Sequence, residues 1–240
     1  MPPDDIIRRL KLSIIIPVYN EAQTIEQVVD RVLAVDLAGL DREVLIVNDG
    51  SDDDTGRNID ASRWRVDPQI KTFDNPINLG KGAAIRHGLR FATGDIILIQ
   101  DADLELNPGQ YMQLIQPILD GRTDIVYGSR FLEKTPHVRW RARAANRGLT
   151  MLANLLYGGR LTDMETAYKV FRREVLTGLR LRCVQFDFEP EFTAKVLRAG
   201  RKIVEVPIEY RPRRVDEGKK IRWTDGVDAA YTLLKLRFVR

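Results

Sequence analysis

The stretch Ile96–Asp103 reads IILIQDAD and decides the fold class. Its four leading apolar residues are typical of a strand that is buried on both faces of a parallel sheet. Two carboxylates, Asp101 and Asp103, follow where that strand ends, and alternation along an extended chain puts them on the same side. A divalent cation would relieve their repulsion, and Mg²⁺ and Mn²⁺ both prefer oxygen ligands of this kind. A solvated acidic turn also fits these residues, but their position after a buried strand favours a metal site.

The segments around this stretch alternate between strand and helix patterns. Strand patterns cover Leu12–Val18, Glu43–Val47, Gln69–Phe73, Asp124–Gly128 and Lys202–Val206. Helical spacing covers residues 24–33, Lys81–Ala92, residues 107–119, Arg139–Leu156, Phe188–Arg198 and Trp223–Arg240. Strands separated by helices predict an α/β fold with a mostly parallel central sheet and helices on both faces. Ligands of such sheets bind beyond the carboxyl ends of the strands, so we expect function in the loops that follow them.

The composition is that of an ordinary globular protein, with 240 residues of which 44% are hydrophobic and 30% charged. The single cysteine, Cys183, excludes an internal disulfide framework and a zinc site of several cysteines, and a packed thiol is its expected role. The two histidines exclude a His-rich metal site. The apolar runs are far shorter than the roughly 20 residues of a spanning helix, and no secretory signal is visible. We therefore expect a cytoplasmic protein.

The net charge of +4 hides a division between the two halves of the chain. Residues 1–120 carry 12 Lys+Arg and 20 Asp+Glu, for a net charge of −8. Residues 121–240 carry 26 and 14, for a net charge of +12. This distribution suggests that the first half holds a cation and that the second half meets an anion.

The loop after the first strand pattern, residues 17–21 (PVYNE), carries candidate binding residues. Tyr19 could flank a base, and Glu21 could accept hydrogen bonds from ribose hydroxyls, although a plain turn explains the same residues. The next residues read as a capping box, in which Thr24 caps a helix and Gln27 reaches back.

The loop after the second strand pattern, residues 49–55, reads DGSDDDT and is strongly acidic. Asp49 could accept hydrogen bonds from a base or a ribose, as acidic residues do at such strand ends. Ser51 or Asp52 is expected to cap the following helix.

A third candidate loop, residues 78–82, reads NLGKG. It matches neither the P-loop pattern nor the G-x-G-x-x-G fingerprint. Its glycines allow close approach of a phosphate, and Lys81 opens a helix whose N–H groups face outward. A structural turn explains the spacing equally well.

Cations are concentrated in the second half, beginning with Arg130, which can hold phosphate oxygens bidentately. The others are Lys134, Arg139, Arg141, Arg143, Arg147, Arg211, Arg213, Arg214, Lys219, Lys220 and Arg222. A charge run is usually a solvated surface, but a bias of this strength favours an anionic second substrate.

Taken in order, these residues resemble the family 2 glycosyltransferases. The shared motifs are Pro17-Val18-Tyr19-Asn20-Glu21, Asn48-Asp49-Gly50-Ser51 with Asp53 and Thr55, Asn78-Leu79-Gly80-Lys81-Gly82, and Asp101-Ala102-Asp103. Within the family, the second half is similar to polyprenyl-phosphate glycosyltransferases such as dolichyl-phosphate mannose synthases. That likeness lies in Gly128-Ser129-Arg130, Asn146-Arg147, Asp163-Met164-Glu165-Thr166, Phe171-Arg172, Val206-Pro207-Ile208 and the stretch from Arg213 to Lys220.

The resemblance implies a single GT-A glycosyltransferase domain, with residues 1–120 for a nucleotide-sugar donor such as GDP-mannose or UDP-glucose and residues 121–240 for the acceptor. It implies substrate binding by Pro17, Tyr19, Asn20, Glu21, Asp49, Ser51, Asp53, Asn78, Gly80, Lys81, Arg213 and Lys220. It implies Mg²⁺ or Mn²⁺ at Asp101, Asp103 and Glu105, and catalytic roles for Asp101, Asp103, Arg130 and Arg147.

The acceptor implied by the likeness is a polyprenyl or dolichyl phosphate. An inverting transfer to a phosphate oxygen needs no strong base, because that oxygen is already anionic at neutral pH. A hydroxyl acceptor would need one, such as Asp163 or Glu165, and stays open as the alternative. A lipid acceptor implies peripheral binding at the cytoplasmic face of a membrane through the amphipathic helix Trp223–Arg240, or recruitment by a membrane-anchoring subunit.

Three other classes are less well supported. A nucleotidyltransferase also binds metal with carboxylates in an α/β sheet, and the pyrophosphate that it releases would distinguish it. No nucleic-acid partner is expected, because the basic half lacks the interleaved aromatic residues that single strands require. A dehydrogenase is disfavoured by the missing glycine fingerprint.

Overall fold

The structure is a computed structural model that describes residues 9–133, 140–212 and 223–239. One sheet contains the strands β1 (Lys11–Val18), β2 (Asp41–Asn48), β3 (Ile70–Asp74), β4 (Ile96–Ile99), β5 (Ile125–Ser129), β6 (Lys169–Arg172) and β7 (Ile203–Pro207). Their order is β3-β2-β1-β4-β6-β5-β7. Strand β6 runs antiparallel to its neighbours β4 and β5, and the other adjacent pairs are parallel. The predicted mostly parallel sheet is confirmed.

Helices cover both faces of this sheet. They are α1 (Ile25–Leu33), α2 (Thr55–Ala61), α3 (Lys81–Phe91), α4 (Tyr111–Leu119), α5 (Trp140–Tyr157), α6 (Phe188–Arg198) and α7 (Trp223–Phe238). Ile14 and Ile16 belong to a core shared with α1, α2 and α4. Ile15, between them, belongs to a second core shared with α3, α5, α6 and α7. Alternate side chains of a strand point to opposite faces, so the apolar run in β1 serves both cores.

Strand β6 was not predicted from the sequence pattern. It has four residues and begins with Lys169, whose side chain is fully buried. The ammonium donates to the carbonyl oxygens of Met164 (2.9 Å) and Thr166 (2.5 Å) and lies 4.4 Å from the ring centroid of Tyr127. Because lysine is normally exposed, neither its presence nor the shortness of the segment indicates a central strand.

The predicted capping box at Thr24 is wrong. Helix α1 begins one residue later, but Thr24 has helical backbone dihedrals and its side chain caps no backbone N–H. Its hydroxyl lies 2.9 Å from the carbonyl oxygen of Ala102 and 2.8 Å from the carboxylate of Glu21. Thr24 therefore connects the loop after β1 to the segment Asp101–Asp103 after β4.

The carboxyl ends of β1, β2, β4 and β5 lie at one edge of the sheet, because these strands run in the same direction. The candidate loops identified from the sequence therefore share this edge. On one face of the sheet, α5 and α7 are neighbours, and the hydroxyl of Tyr157 donates to the carbonyl oxygen of Leu233 (2.6 Å). Among the described residues, no helix has both the length and the apolar character needed to cross a bilayer.

Candidate functional site

Hydrogen bonds join the first two loops at this edge. The backbone N–H of Asn20 donates to Ser51 Oγ (3.0 Å), and the N–H of Asp52 donates to the side-chain oxygen of Asn20 (3.0 Å). The N–H of Glu21 donates to Thr55 Oγ1 (2.8 Å). Since α2 begins at Thr55, neither Ser51 nor Asp52 caps it, and that prediction is wrong. Ser51 instead holds the neighbouring loop.

The other residues that were predicted to bind the donor lie around these two loops. Pro17 belongs to β1, directly opposite Val47 of β2. Tyr19 follows β1 and is partly exposed. The carboxylate of Asp53 accepts from the N–H of Thr55 (2.9 Å). Asn78 is exposed on the third loop. The structure thus gathers these residues around one open surface.

Asp49 is buried and holds the third loop in place. Its carboxylate accepts from the side-chain amide of Asn75 (2.7 Å) and from the backbone N–H groups of Leu79 (3.2 Å) and Gly80 (2.6 Å). Gly80 has a φ of +103°, and a Cβ there would lie 2.5 Å from the carbonyl oxygen of Val184. Only glycine fits that position without strain. Asp49 and Gly80 together fix the position of the next residue, which is the first residue of α3.

That next residue, Lys81, lies between two carboxylates. Its ammonium is 2.8 Å from Asp101 Oδ1 and 3.0 Å from Glu189 Oε1. Burial disfavours the charged ammonium, but the two carboxylates outweigh it and hold the pKa of Lys81 above its ordinary value. Glu189 is itself buried, and Lys81 and Lys169 hold the pKa of its carboxyl below its ordinary value despite that burial. A cation of the chain therefore already neutralises part of the charge on Asp101.

The three carboxylates that were predicted to hold a metal are not arranged as one cluster. Asp103 Oδ1 accepts from the backbone N–H of Glu105 (3.1 Å), and Glu105 Oε2 accepts from the hydroxyl of Tyr210 (2.7 Å). In the part of the chain that the structure describes, no group of three His, Cys, Asp or Glu side chains could hold a metal ion. Asp101 and Asp103 are both partly exposed, and one or two carboxylates suffice for Mg²⁺ when phosphates complete its ligands. This pair of carboxylates therefore fits a metal ion whose remaining ligands come from a bound diphosphate.

Arg130 follows β5 and forms a bidentate ion pair with Asp163. The two guanidinium–carboxylate distances are 2.7 and 2.8 Å, and the backbone N–H of Arg130 donates to the same carboxylate (3.0 Å). Asp163 is fully buried, so removing Arg130 would leave a buried charge. The guanidinium also lies 5.2 Å from the ring centroid of Tyr210. Because Tyr210 also contacts Glu105, it connects Arg130 to the acidic segment after β4.

Arg147 lies on α5, on the wall of a cavity of about 360 Å³. The cavity is lined by Phe131, Arg143, Arg147, Thr150, Met151, Asn154, Leu161 and Thr162. Phe131 follows Arg130 in the chain, and Thr162 precedes its partner Asp163, so the cavity adjoins the ion pair. The cavity is basic, because Arg143 and Arg147 line it and Arg130 lies beside it. We call it the Arg147 cavity.

Two of the predicted phosphate-binding residues, Arg213 and Lys220, lie outside the described residues. The same holds for Lys134, Arg139, Arg214, Lys219 and Arg222. Of the cations of the second half, the structure therefore places Arg130, Arg141, Arg143, Arg147 and Arg211.

Two residues of this site were missed from the sequence. The sequence offers Glu189 only as one of several acid/base candidates of the second half, and it does not single out Lys169. Burial raises the pKa of the nearby Glu165 carboxyl, and Glu189 adds to this effect. Among the described residues, Glu165 Oε1 has no hydrogen-bond partner. No sequence pattern identifies these charged residues as one group, because Lys81, Asp101, Lys169 and Glu189 come from four separate segments of the chain.

Comparison with known proteins agrees with this architecture. The family model described as glycosyl transferase family 2 matches residues 13–179. The structure of glucosyl-3-phosphoglycerate synthase from Mycobacterium tuberculosis, in complex with Mn²⁺, UDP and phosphoglyceric acid, superposes with a TM-score of 0.73 at 23% identity. The superposition covers 96% of this chain and 80% of that one. The chain therefore belongs to glycosyl transferase family 2, and the predicted GT-A fold and glycosyltransferase class are confirmed.

Curated relatives are similar over most of this chain. The undecaprenyl-phosphate mannosyltransferase of Micrococcus luteus is 29% identical over 221 residues, which are 88% of this chain and 87% of the relative. The dolichol-phosphate mannosyltransferase of Pyrococcus furiosus is 28% identical over 214 residues, 88% of this chain and 59% of the relative. Glycosyltransferase AglD of Haloferax volcanii is 28% identical over 211 residues, 85% of this chain. The chain spans only 34% of that relative's length.

Proposed function

We propose that this protein is an inverting hexosyltransferase that moves a sugar from a nucleotide-sugar donor to a polyprenyl phosphate. The observation that carries the proposal is the Arg147 cavity, which adjoins Arg130 beside the edge that holds Asp101 and Asp103. A site for a metal-bound diphosphate thus lies beside a site for a second anion. The names of the Micrococcus and Pyrococcus relatives support the choice of a lipid phosphate as the acceptor.

The donor would bind across the first two loops, with Tyr19 against the base and Glu21 near the ribose. Both GDP-mannose and UDP-glucose suit this arrangement. Asp49 contributes by shaping the third loop, because its carboxylate accepts hydrogen bonds from that loop. Mg²⁺ or Mn²⁺ held by Asp101 and Asp103 would neutralise charge that develops on the leaving diphosphate. The Mn²⁺ and UDP in the Mycobacterium tuberculosis structure support both ligand classes.

The acceptor phosphate would enter the Arg147 cavity, where Arg143 and Arg147 orient it. Its oxygen is anionic at neutral pH, so the attack on the sugar needs orientation and charge stabilisation rather than a strong base. Arg130 is held rigidly by Asp163 and therefore presents a fixed positive charge beside the cavity. Arg213 and Lys220 remain predicted phosphate contacts.

A lipid acceptor also requires contact with a bilayer, and α7 has the composition for it. Val227, Tyr231 and Phe238 are exposed on this helix, and its last turn is basic. We propose peripheral binding to anionic lipid at the cytoplasmic face, with recruitment by a membrane-anchoring subunit as the other route. Binding to anionic vesicles should weaken as salt rises. Binding that ignores salt would contradict the electrostatic part of this proposal.

The test of the reaction is an acceptor screen with GDP-mannose and UDP-glucose in the presence of Mg²⁺ or Mn²⁺. Polyprenyl phosphate should become glycosylated with release of nucleoside diphosphate, while the matching polyprenol should not react. Transfer only to sugar alcohols or other hydroxyl compounds would refute the proposal. Release of pyrophosphate would identify a nucleotidyltransferase instead.

The second candidate is the same fold transferring sugar to a hydroxyl acceptor, and Glu165 favours it. Asp163 is fully buried and paired with Arg130, whereas Glu165 Oε1 has no partner among the described residues. Burial, together with Glu189, raises the pKa of Glu165, as a general base near neutrality requires. Replacement of Glu165 by Gln should abolish transfer to a hydroxyl but should spare transfer to a phosphate.

A further inference from the structure

Lys81 is a fixed part of the site rather than a mobile surface cation. Its side chain is 17% exposed. Its backbone is held on both sides, because the N–H of Gly80 donates to Asp49 and the N–H of Gly82 donates to the carbonyl oxygen of Gln185 (2.8 Å). These hydrogen bonds hold the start of α3, and with it the backbone of Lys81, in place.

Glu189 keeps the Lys81 ammonium at this place. Only 7% of the Glu189 side chain is exposed, and its carboxylate is 3.0 Å from the ammonium. Glu189 lies in the first turn of α6. A buried carboxylate left without its cation is costly, so the ammonium stays between its two partners whatever binds outside.

This arrangement affects any cation that approaches Asp101. The ammonium is 2.8 Å from Asp101 Oδ1, so a divalent ion on the same carboxylate would lie close to a positive charge. A diphosphate that arrives with the ion adds negative charge, which offsets that repulsion and can contact the ammonium.

We propose that Lys81 is a built-in counter-cation that keeps metal from binding alone and so makes metal binding depend on the nucleotide diphosphate. In the absence of the nucleotide, the ammonium satisfies Asp101. In its presence, metal and diphosphate bind together beside Lys81. This inference rests on the proposed function for its ligands, but its first test uses the metal alone.

The experiment measures Mn²⁺ binding by electron paramagnetic resonance, without nucleotide and with saturating GDP or UDP. Lys81→Met should bind Mn²⁺ alone at least about tenfold more tightly than the parent, because the neighbouring positive charge is gone. The ratio of the Mn²⁺ affinity with nucleotide to the affinity without it should be smaller in this variant than in the parent, by a similar factor. Arg90→Met is the matched control, since Arg90 is exposed in the last turn of the same helix and should change neither value.

The double variant Lys81→Met/Glu189→Gln guards against misfolding, because it leaves no buried carboxylate without its cation. It should also bind Mn²⁺ alone more tightly than Glu189→Gln does. Unchanged or weaker Mn²⁺ binding in both Lys81 variants would overturn the inference. Failure of the parent to bind GDP and UDP at any Mn²⁺ concentration would instead count against the proposed function, and the metal-only comparison would still decide the role of Lys81.

Discussion

The proposed donor side and the proposed acceptor side of this molecule are built in opposite ways. On the donor side, Asp49, Lys81 and Glu189 are largely buried, and hydrogen bonds connect the loops after β1, β2 and β3. On the acceptor side, the cavity arginines Arg143 and Arg147 are exposed, and so are large apolar residues of α5 and α7. The proposed donor side would thus meet its ligand with groups already in position, whereas the proposed acceptor side offers exposed side chains.

The difference has a physical explanation. Fixed dipoles and charges stabilise a developing charge without reorganising during the reaction, which would suit the side where we propose that a diphosphate leaves. An exposed surface of cations and apolar side chains suits a large amphipathic partner, which supplies the missing contacts when it binds. Substitutions on the two sides should therefore differ in the size and the kind of their effects.

Removing a carboxylate after β4 should have the greatest effect. Asp101→Asn should lower the turnover of nucleotide sugar by about a thousandfold, because a preorganised charge at the leaving group is lost. Release of nucleoside diphosphate measures the rate, and circular dichroism checks the fold. If this variant and Asp103→Asn turned over nucleotide sugar as fast as the parent, the proposed donor site would be contradicted.

Disrupting the third loop should affect stability rather than chemistry alone. Asp49→Ala should lower the free energy of unfolding by about 3 kcal/mol, since it leaves three donors from Asn75, Leu79 and Gly80 without an acceptor. Urea denaturation measures the loss. Asp54→Ala is the control, because that carboxylate is 66% exposed and its change should cost less than about 0.5 kcal/mol. Equal effects would argue against a preorganised donor side.

A change on the acceptor side should be smaller and selective. Arg147→Met should raise the KM for polyprenyl phosphate about tenfold through the loss of one charge-assisted contact, with the donor KM unchanged. Arg141→Met removes the same charge on the same helix, away from the cavity lining, and should have little effect. If both variants weaken the acceptor equally, general surface charge rather than the cavity attracts it.

The smallest effect is expected at the apolar surface of α7. Phe238 is 80% exposed, and Phe238→Ser should reduce the partition onto anionic vesicles about fivefold, because an inserted aromatic ring is lost. Val66→Ser provides the control, since Val66 is 89% exposed elsewhere on the molecule and should not matter. Equal partition of Phe238→Ser and the parent would exclude α7 as the contact.

Much of the fold follows from local patterns. Six of the strands lie within two residues of the predicted bounds, because uninterrupted apolar runs such as that of β1 fit only a strand with a core on each face. The predicted helix over residues 107–119 begins with a 3₁₀ turn, Pro108–Gln110, whose cap is Asn107, and continues as α4 from Tyr111. The predictions that Thr24 and Ser51 cap helices failed because both side chains form hydrogen bonds with residues distant in sequence. Thr24 bonds to Ala102 and Ser51 bonds to Asn20.

For the functional site, the sequence pattern is enough to predict which carboxylates and cations stand at strand ends, and the common direction of the strands places Asp49, Asp101 and Arg130 at one edge. What each of these side chains contacts depends on how the sheet and helices pack. Lys81 pairs with Asp101 and Glu189, and Arg130 pairs with Asp163, across gaps of 20 or more residues of sequence. A pattern reports periodicity and local turns, whereas a buried charge takes as its partner whichever opposite charge the packing of the sheet brings within hydrogen-bond distance.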